Sequence, residues 1–365
     1  MSPAHVPEPS AGARRTAAPR TMQELAALAG IPRVTISRVI NGYPHVSTRM
    51  RERVREALNR FEYAPSLLAT GLAKQRSSLL ALVIPDVRAS FYSGMMDRLE
   101  RQAWAQGLNL LSFNTFFDPA REKRMLALAA RLRVAALILT PITEQGRLVN
   151  GDALRHVQAP VVFFDRYKDR RHSCVLLDNR AAGRLAAAHL LGLGHRRVAV
   201  LGSPEDPANV CVRDRCGGFR QALQRRGLRA DASCVWTIPW SEQSFTPTYG
   251  YELAKACLPR LRAEGVTGLF AYTDSIAAGA LRALAEAGLR VPGDVSLVGC
   301  DDLDFAAFTS PPLTTIRQPM AELVDCLLRA AAPTHARHVQ EEIAPALVER
   351  SSAAPPQERT ARGRR

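Results

Sequence analysis

Residues 21–41 read TMQELAALAGIPRVTISRVIN, and the punctuation of that stretch decides how the N-terminal part of the chain folds. Thr21 with Glu24 three residues on is a capping box, in which each side chain satisfies a backbone N–H left unpaired at a helix start. Gly30 supplies a left-handed C-cap. Pro32 suits the entry to a second helix, because its missing N–H would find no partner there anyway. Apolar residues recur at helical spacing through Leu25 and Leu28, then Ile36, Val39 and Ile40, then Val54, Leu58 and Phe61, and Ser47 stands where it can cap the last segment. Three short helices are predicted, the first two in a helix-turn-helix arrangement.

The second helix has a chemistry that suits DNA. A short helix entering the major groove by its N-terminal end puts Arg33 where a guanidinium bonds two acceptors of guanine, and Val34 where an apolar group meets a thymine methyl. Thr35, Ser37 and Asn41 would hold phosphates and set the register. Thr21, Arg38 and Ser47 complete the candidate DNA-contacting set. Periodicity alone fits a solvated helical hairpin equally well.

Charge bears on that choice once it is located. The formal net charge is +15 over 365 residues. Residues 1–76 hold 12 Lys/Arg against 5 Asp/Glu, a balance of +7, and residues 351–365 hold 4 Arg against 1 Glu, a balance of +3. The remaining +5 is spread over the long middle, so positive charge gathers at the ends, as a polyanionic partner would require. An arginine-rich genome gives the same excess. The segments 1–20 and 351–365 are rich in Pro, Ala and Arg without periodicity and are expected to be disordered tails. No apolar run approaches a membrane span and the first residues lack the apolar stretch of a signal peptide, so a cytoplasmic protein is expected. The 7 cysteines are scattered and form no C-x-x-C spacing, which suggests reduced thiols and no metal site.

From Leu79 onward apolar runs alternate with amphipathic segments: Leu79 to Ile84, Leu108 to Phe113, Ala135 to Leu139, Val161 to Phe164, Val198 to Leu201, Thr267 to Ala271 and Val295 to Val298. Runs of Val, Ile and Leu, each followed by a helical pattern, predict buried parallel sheets with helices on both faces, and the length suits two lobes. Nucleotide-binding glycine loops, the Walker lysine, H-E-x-x-H and G-x-S-x-G are all missing from the sequence. Asp301 and Asp302 are adjacent at a strand end and would point apart, and His189 and His195 flank a helix end where a histidine is more often a cap than a base. A non-enzymatic protein without a cofactor is expected.

Taken together, Thr21 to Gly30, Arg33 to Asn41, Val46-Ser47, Phe61 to Pro65 and the core to about Arg350 resemble the LacI family, the lactose and galactose repressors and their relatives. The T-x-S-R-V-x-N string from Thr35 to Asn41, followed by Tyr63-x-Pro65, is its most specific element. The resemblance implies an all-α helix-turn-helix head over residues 21–64, a hinge helix and linker over 65–78, and an α/β, two-lobed periplasmic-binding-protein-like core over 79–350 that binds effector and dimerises. In the family the hinge helix inserts a leucine into the minor groove, a position that falls here on Leu72. Ser66, Thr70 and Gly71 depart from the usual Asn, Arg and Ser, and a glycine inside a helix costs about 1 kcal/mol relative to Ala.

The implied ligand lies between the lobes at the carboxyl ends of the strands. The positions that match the family there are Asp86, Phe91, Tyr92, Asp165, Asp274 and Asp301 after strands, Arg215 in Arg213-x-Arg215-x-x-Gly218 opening a helix, and Trp240 where a stacking aromatic often occurs. Arg and Asp would bond the hydroxyls of a sugar and aromatic faces would cover its C–H surface. Asp274 is also placed to cap a helix, and the string from Pro311 to Pro319 is read as a structural connection between lobes. The resemblance thus implies a transcription regulator, a repressor by family habit, acting as a homodimer on palindromic double-stranded operator DNA and controlled by a small effector, with sugar the commonest choice. The C-terminal segment lacks the leucine heptads of tetrameric relatives. The reading it competes with is a soluble carbohydrate-binding protein or sugar-processing enzyme with an incidental basic head.

Overall fold

The computed structural model describes residues 21–63, 77–202, 210–239, 246–332 and 338–357. The chain divides into two compact units, Met1–Ser77 and Ser78–Arg365. The expected hinge residues Pro65 and Leu72, the tail 1–20, Trp240 and residues 358–365 lie outside the described residues.

In the first unit the three predicted helices form: α1 (Met22–Ala29), α2 (Arg33–Ile40) and α3 (Thr48–Arg60). Thr21 Oγ1 accepts the Glu24 N–H at 3.2 Å, and Ser47 Oγ accepts that of Met50 at 3.4 Å. Gly30 ends α1 at φ +61°, its N–H returning to the Ala26 carbonyl. Leu25, Ile31, Ile36, Val54 and Ala57 close a small core. Such a core stabilises by burial alone, and the helices are too short to persist without it.

The second unit begins with β1 (Leu79–Ile84), α4 (Ser90–Ala105), β2 (Asn109–Asn114), α5 (Pro119–Arg131) and β3 (Ala136–Leu139). A small hairpin, β4 (Thr143–Glu144) and β5 (Arg147–Leu148), precedes α6 (Gly151–Leu154), β6 (Val161–Phe164) and β7 (Ser173–Leu177). The chain then passes to a second sheet through α7 (Asn179–Gly192), β8 (Val198–Leu201), α8 (Val210–Gln224), β9 (Val235–Trp236), α9 (Pro247–Glu264), β10 (Gly268–Ala271), α10 (Asp274–Glu286), β11 (Ser296–Asp301) and β12 (Thr314–Arg317). It returns to the first with α11 (Met320–Ala331) and β13 (Gln340–Ile343), and ends on the second with β14 (Ala346–Val348).

Two six-stranded sheets result, ordered β13-β7-β6-β3-β1-β2 and β9-β8-β10-β11-β12-β14. Every pairing in them is parallel except β12 with β14. The central strands are apolar and buried on both faces, as parallel strands covered by helices must be. Three crossings, after β7, β12 and β13, divide the unit into two lobes. The string from Pro311 to Pro319 forms β12 and the second of these crossings.

Glycines set the helix packing of the second lobe. A Cβ at Gly183 would lie 1.9 Å from the Arg215 carbonyl oxygen, and one at Gly218 would lie 2.0 Å from that of Arg180, so α7 and α8 touch backbone to backbone. Gly279 and Gly250 bring α9 and α10 together in the same way.

The expected C-terminal tail needs correcting at its start. Residues 351–357 pack on the second lobe. The Ser352 hydroxyl is buried, donates to the Leu297 carbonyl at 2.6 Å and accepts the Thr314 N–H at 2.8 Å. The Ala354 carbonyl accepts from Ser296 Oγ at 2.9 Å and lies 3.0 Å from His195 Nε2. Composition suggested disorder because Ser, Ala and Pro bury little area, but the strap is held by hydrogen bonds to strand edges instead.

Candidate functional site

Two sites take shape, one in each unit. In the first, α2 presents its N-terminal end outward: Arg33, Val34 and Arg38 are exposed, Val34 at 61%. A valine this open on a well-packed unit has no folding role. Thr35 is half-buried, and Thr21 and Ser47 are spent as helix caps. Asn41 Nδ2 donates to the Ser37 carbonyl at 2.8 Å and to its hydroxyl at 3.3 Å, so these two residues close the end of α2 against each other. The loop after α2 is pinned from α3, where Arg51 donates to the carbonyls of Val46, at 3.1 Å, and Tyr43. Arg49, Arg53 and Arg55 stand exposed on α3, and Tyr43 is 56% exposed beside them in sequence; the apolar periodicity singled out none of these.

In the second unit a cavity of about 60 Å³ lies between the lobes, lined by Ala89, Phe91, Tyr92, Asp165, Arg166, Cys211, Arg215, Tyr272, Thr273, Asp301 and Gln318. Asp165 follows β6, Tyr272 follows β10 and Asp301 ends β11, so the site sits at the carboxyl ends of strands from both sheets. Five of the eight positions singled out in the sequence converge here: Phe91, Tyr92, Asp165, Arg215 and Asp301.

Arg215 is the best-held of them. It is buried on α8, with Nε and Nη2 donating to Asn179 Oδ1 at 2.9 and 2.7 Å and Nη1 to the Tyr272 carbonyl at 2.7 Å. Its guanidinium lies 4.5 Å from the centre of the Tyr272 ring and 3.9 Å from Asp301. Burial disfavours its charge, and the acidic groups around it, Asp301 among them, outweigh that effect and keep it protonated. Asp301 accepts from Gln318 Nε2 at 2.6 Å, and burial pushes its carboxyl well above the ordinary range despite Arg215.

Across the cleft, the Tyr92 hydroxyl donates to Asp165 Oδ2 at 2.6 Å and Arg166 Nε reaches that hydroxyl at 3.3 Å. Burial raises the Tyr92 phenol well above its usual value, so it remains a donor. Cys211, at the start of α8 in the second lobe, donates its thiol to the Asp165 carbonyl at 2.7 Å and to Oδ1 at 3.1 Å, joining the lobes. Phe91 stacks on Phe164 at 6.0 Å and leaves an aromatic wall. Asp165, Asp301 and Asp302 all have positive φ, of 67°, 123° and 57°. Backbone strain of this kind persists only where the surroundings enforce it.

Two sequence-singled residues stand elsewhere. Asp86 is folded onto Arg88, with Nη2 to Oδ2 at 2.7 Å, and does not line the cavity. Asp274 is likewise turned away: its carboxylate accepts from Thr315 Oγ1 at 2.6 Å and from the Leu303 N–H at 2.8 Å, tying α10 to β12 and to the loop after β11. It does not cap α10 either, because Thr273 does, accepting the Ile276 N–H at 3.2 Å. Asp302 binds Arg317 and Arg350 at 2.7 and 2.6 Å and is structural. Cys211, Tyr272 and Gln318 were not visible as site residues, since only the convergence of the ends of β10 and β12 with the start of α8 brings them together.

Residues 21–66 match the bacterial regulatory proteins of the lacI family, and residues 187–353 match a periplasmic binding protein-like domain. The ribose operon repressor of Escherichia coli (strain K12) is 32% identical over 339 residues, 91% of this chain and 99% of its own. The chain belongs to the LacI family. Among solved structures, the lac repressor dimer bound to operator and the anti-inducer ONPF superposes with a TM-score of 0.78 at 26% identity, over 92% of this chain and 99% of that one. A LacI family transcriptional regulator from Enterococcus faecium with bound ribose gives 0.65 at 27% identity, over 76% of this chain and all of the other. The protein is thus a DNA-binding transcription regulator of this family, and its relatives are regulators rather than enzymes. No described helix is long and apolar enough to cross a membrane.

Proposed function

We propose that this LacI family member is a cytoplasmic, non-enzymatic repressor that binds palindromic operator DNA as a homodimer and is controlled by a small neutral sugar between its core lobes. Arg33, Val34 and Arg38 read base edges, and Thr35 with the exposed arginines of α3 contacts phosphates. Leu72 is the candidate minor-groove wedge. The ligand meets Phe91, Tyr92, Asp165, Arg215 and Asp301, joined by Arg166, Cys211, Tyr272 and Gln318. The observation that carries the sugar assignment is the hydrogen-bonding balance of the cleft: two arginine donors, Arg166 and Arg215, face two carboxyl groups, those of Asp165 and Asp301. Such a set bonds hydroxyls from both sides without demanding a charged ligand. The cavity, at about 60 Å³, is far below the roughly 300–1,000 Å³ of ligand pockets, so the lobes part to admit even a pentose. The relatives named for ribose make it the first sugar to try.

Selection of duplexes from a random pool by the full-length protein tests the DNA half of this reading. A palindrome with half-sites about one or more helical turns apart is expected. Failure to enrich any sequence over the starting pool would overturn it.

A further inference from the structure

We propose that the outer end of the second lobe holds a separate small-anion site that takes a phosphate group. A cavity of about 230 Å³ opens there, with Arg196, Arg197, Arg229, Ser233 and Glu264 around an apolar floor that includes Val198 and Val266. Val198 begins β8 and Val266 shortly precedes β10. This cavity therefore sits at the amino ends of the strands whose carboxyl ends face the sugar cleft, and it shares no residue with that cleft.

The electrostatics of the lining are one-sided. Three guanidiniums face one carboxylate, and that carboxylate is already engaged by Arg260 Nε at 2.8 Å, while Arg229 Nη1 stands 3.9 Å from it. Arg229 also bonds Asp231 at 3.3 Å and the Ser233 hydroxyl. Arg196 donates Nη1 to the carbonyls of Leu191 and His195 at 3.1 and 3.0 Å, contacts that fix the guanidinium without neutralising it. Arg197 has no carboxylate within ion-pair distance among the described residues. Its guanidinium lies against Gly265, where an added Cβ would fall 3.1 Å from Cζ.

Gly265 closes α9, and a helix C-terminus carries roughly −0.5 of a charge. That half-charge helps to seat Arg197, and together with Glu264 and Asp231 it leaves a net positive charge among Arg196, Arg197, Arg229 and Arg260. A phosphate offers several strong acceptor oxygens and a charge near −2, which suits a cavity lined by three exposed guanidiniums better than a neutral ligand does. The cavity is smaller than the roughly 300–1,000 Å³ of typical ligand pockets. It therefore fits free phosphate or a small phosphomonoester, with the apolar floor receiving the ester's carbon end.

The test is calorimetric titration of the full-length protein with inorganic phosphate and, separately, with phenyl phosphate, at constant ionic strength. Saturable binding of one anion per chain is expected, weakened at least ~10-fold in Arg197→Ser and in Arg196→Ser. Tighter binding of phenyl phosphate identifies a phosphomonoester site, and equal binding identifies a site for the ion itself. Each variant's circular dichroism melt establishes that it folds, and with two variants one suffices. No saturable heat with either probe up to about 10 mM, or equal affinities in the wild type and a folded variant, overturns the proposal.

Discussion

At the scale of single residues, Arg215 is the anchor of the interlobe site. Its three short hydrogen bonds aim the guanidinium at the cavity and leave it beside Asp301. Lysine cannot bond Asn179 and the Tyr272 carbonyl with the same planar fork, and its smaller ion is harder to desolvate. Arg215→Lys should weaken ribose binding roughly 10- to 100-fold, the equivalent of one to two charge-assisted hydrogen bonds, as read by calorimetry; unchanged affinity would remove Arg215 from the ligand site. On the DNA side, Val34→Ser should lower discrimination at one thymine by about 1 kcal/mol, the value of one buried methyl, measured with duplexes that replace each thymine of the selected site by uracil. Arg215 was legible through the family resemblance, which puts an arginine at a helix start in contact with the effector. Asp86 and Asp274 do not line the cavity, for a physical reason. A carboxylate after a strand looks the same in sequence whether it faces the cleft or a neighbouring arginine or hydroxyl, and only packing distinguishes the two.

At the scale of elements, the glycine contacts hold the site in place. Gly218→Ala would drive a methyl into the Arg180 carbonyl and push α8, which carries Arg215, away from α7. Overpacking of this kind costs about 1–3 kcal/mol, and the denaturant midpoint should fall accordingly, with ribose affinity falling too. Ending the chain at Arg350 should lower the melting temperature by removing the bonds of Ser352 and Ala354, each worth about 1 kcal/mol. The strap also responds to acid. Burial holds His189 and His195 below the usual histidine value of 6.5, so both are neutral in the folded protein and protonate more readily when it unfolds. Their contribution is therefore present above pH 6.5 and lost as pH falls below it toward the folded values. Between pH 7.5 and 5.5 the melting temperature of the wild type should fall relative to that of His195→Gln, the difference reading the histidine contribution alone. The seven apolar strand segments were readable as runs of Val, Leu and Ile. β9 is two residues long, β13 is the mostly exposed QEEI, and β7, β12 and β14 stand next to crossings or at an edge. β9, β12, β13 and β14 exist through their pairing rather than their pattern, whereas β7, SCVLL and buried throughout, carries an apolar run of its own.

At the scale of the whole molecule, the alternation of strand and helix was enough to anticipate two lobes, and the helix caps were enough to anticipate the head. The crossings were less visible, since only the Pro311 to Pro319 string signalled one, and the strap was hidden by a composition that resembles a tail. What the architecture adds is a mechanism for control. Asp165 in one lobe is held by Cys211 in the other, over a cavity too small for a sugar, so ligand entry must change how the lobes meet. Any change in lobe geometry that alters operator affinity must also alter sugar affinity by the same factor. Equilibrium sedimentation at micromolar protein should give a dimer, and a predominant tetramer would contradict that assembly. The most direct test of ligand-controlled DNA binding is the affinity of full-length protein for its selected palindrome, by fluorescence anisotropy near physiological salt, with and without saturating ribose or whichever sugar stabilises the protein in a thermal-shift screen. The expected result is a change of about 5- to 150-fold on adding sugar, abolished in Arg215→Lys at the same sugar concentration. Equal affinity with and without every sugar that binds would contradict it.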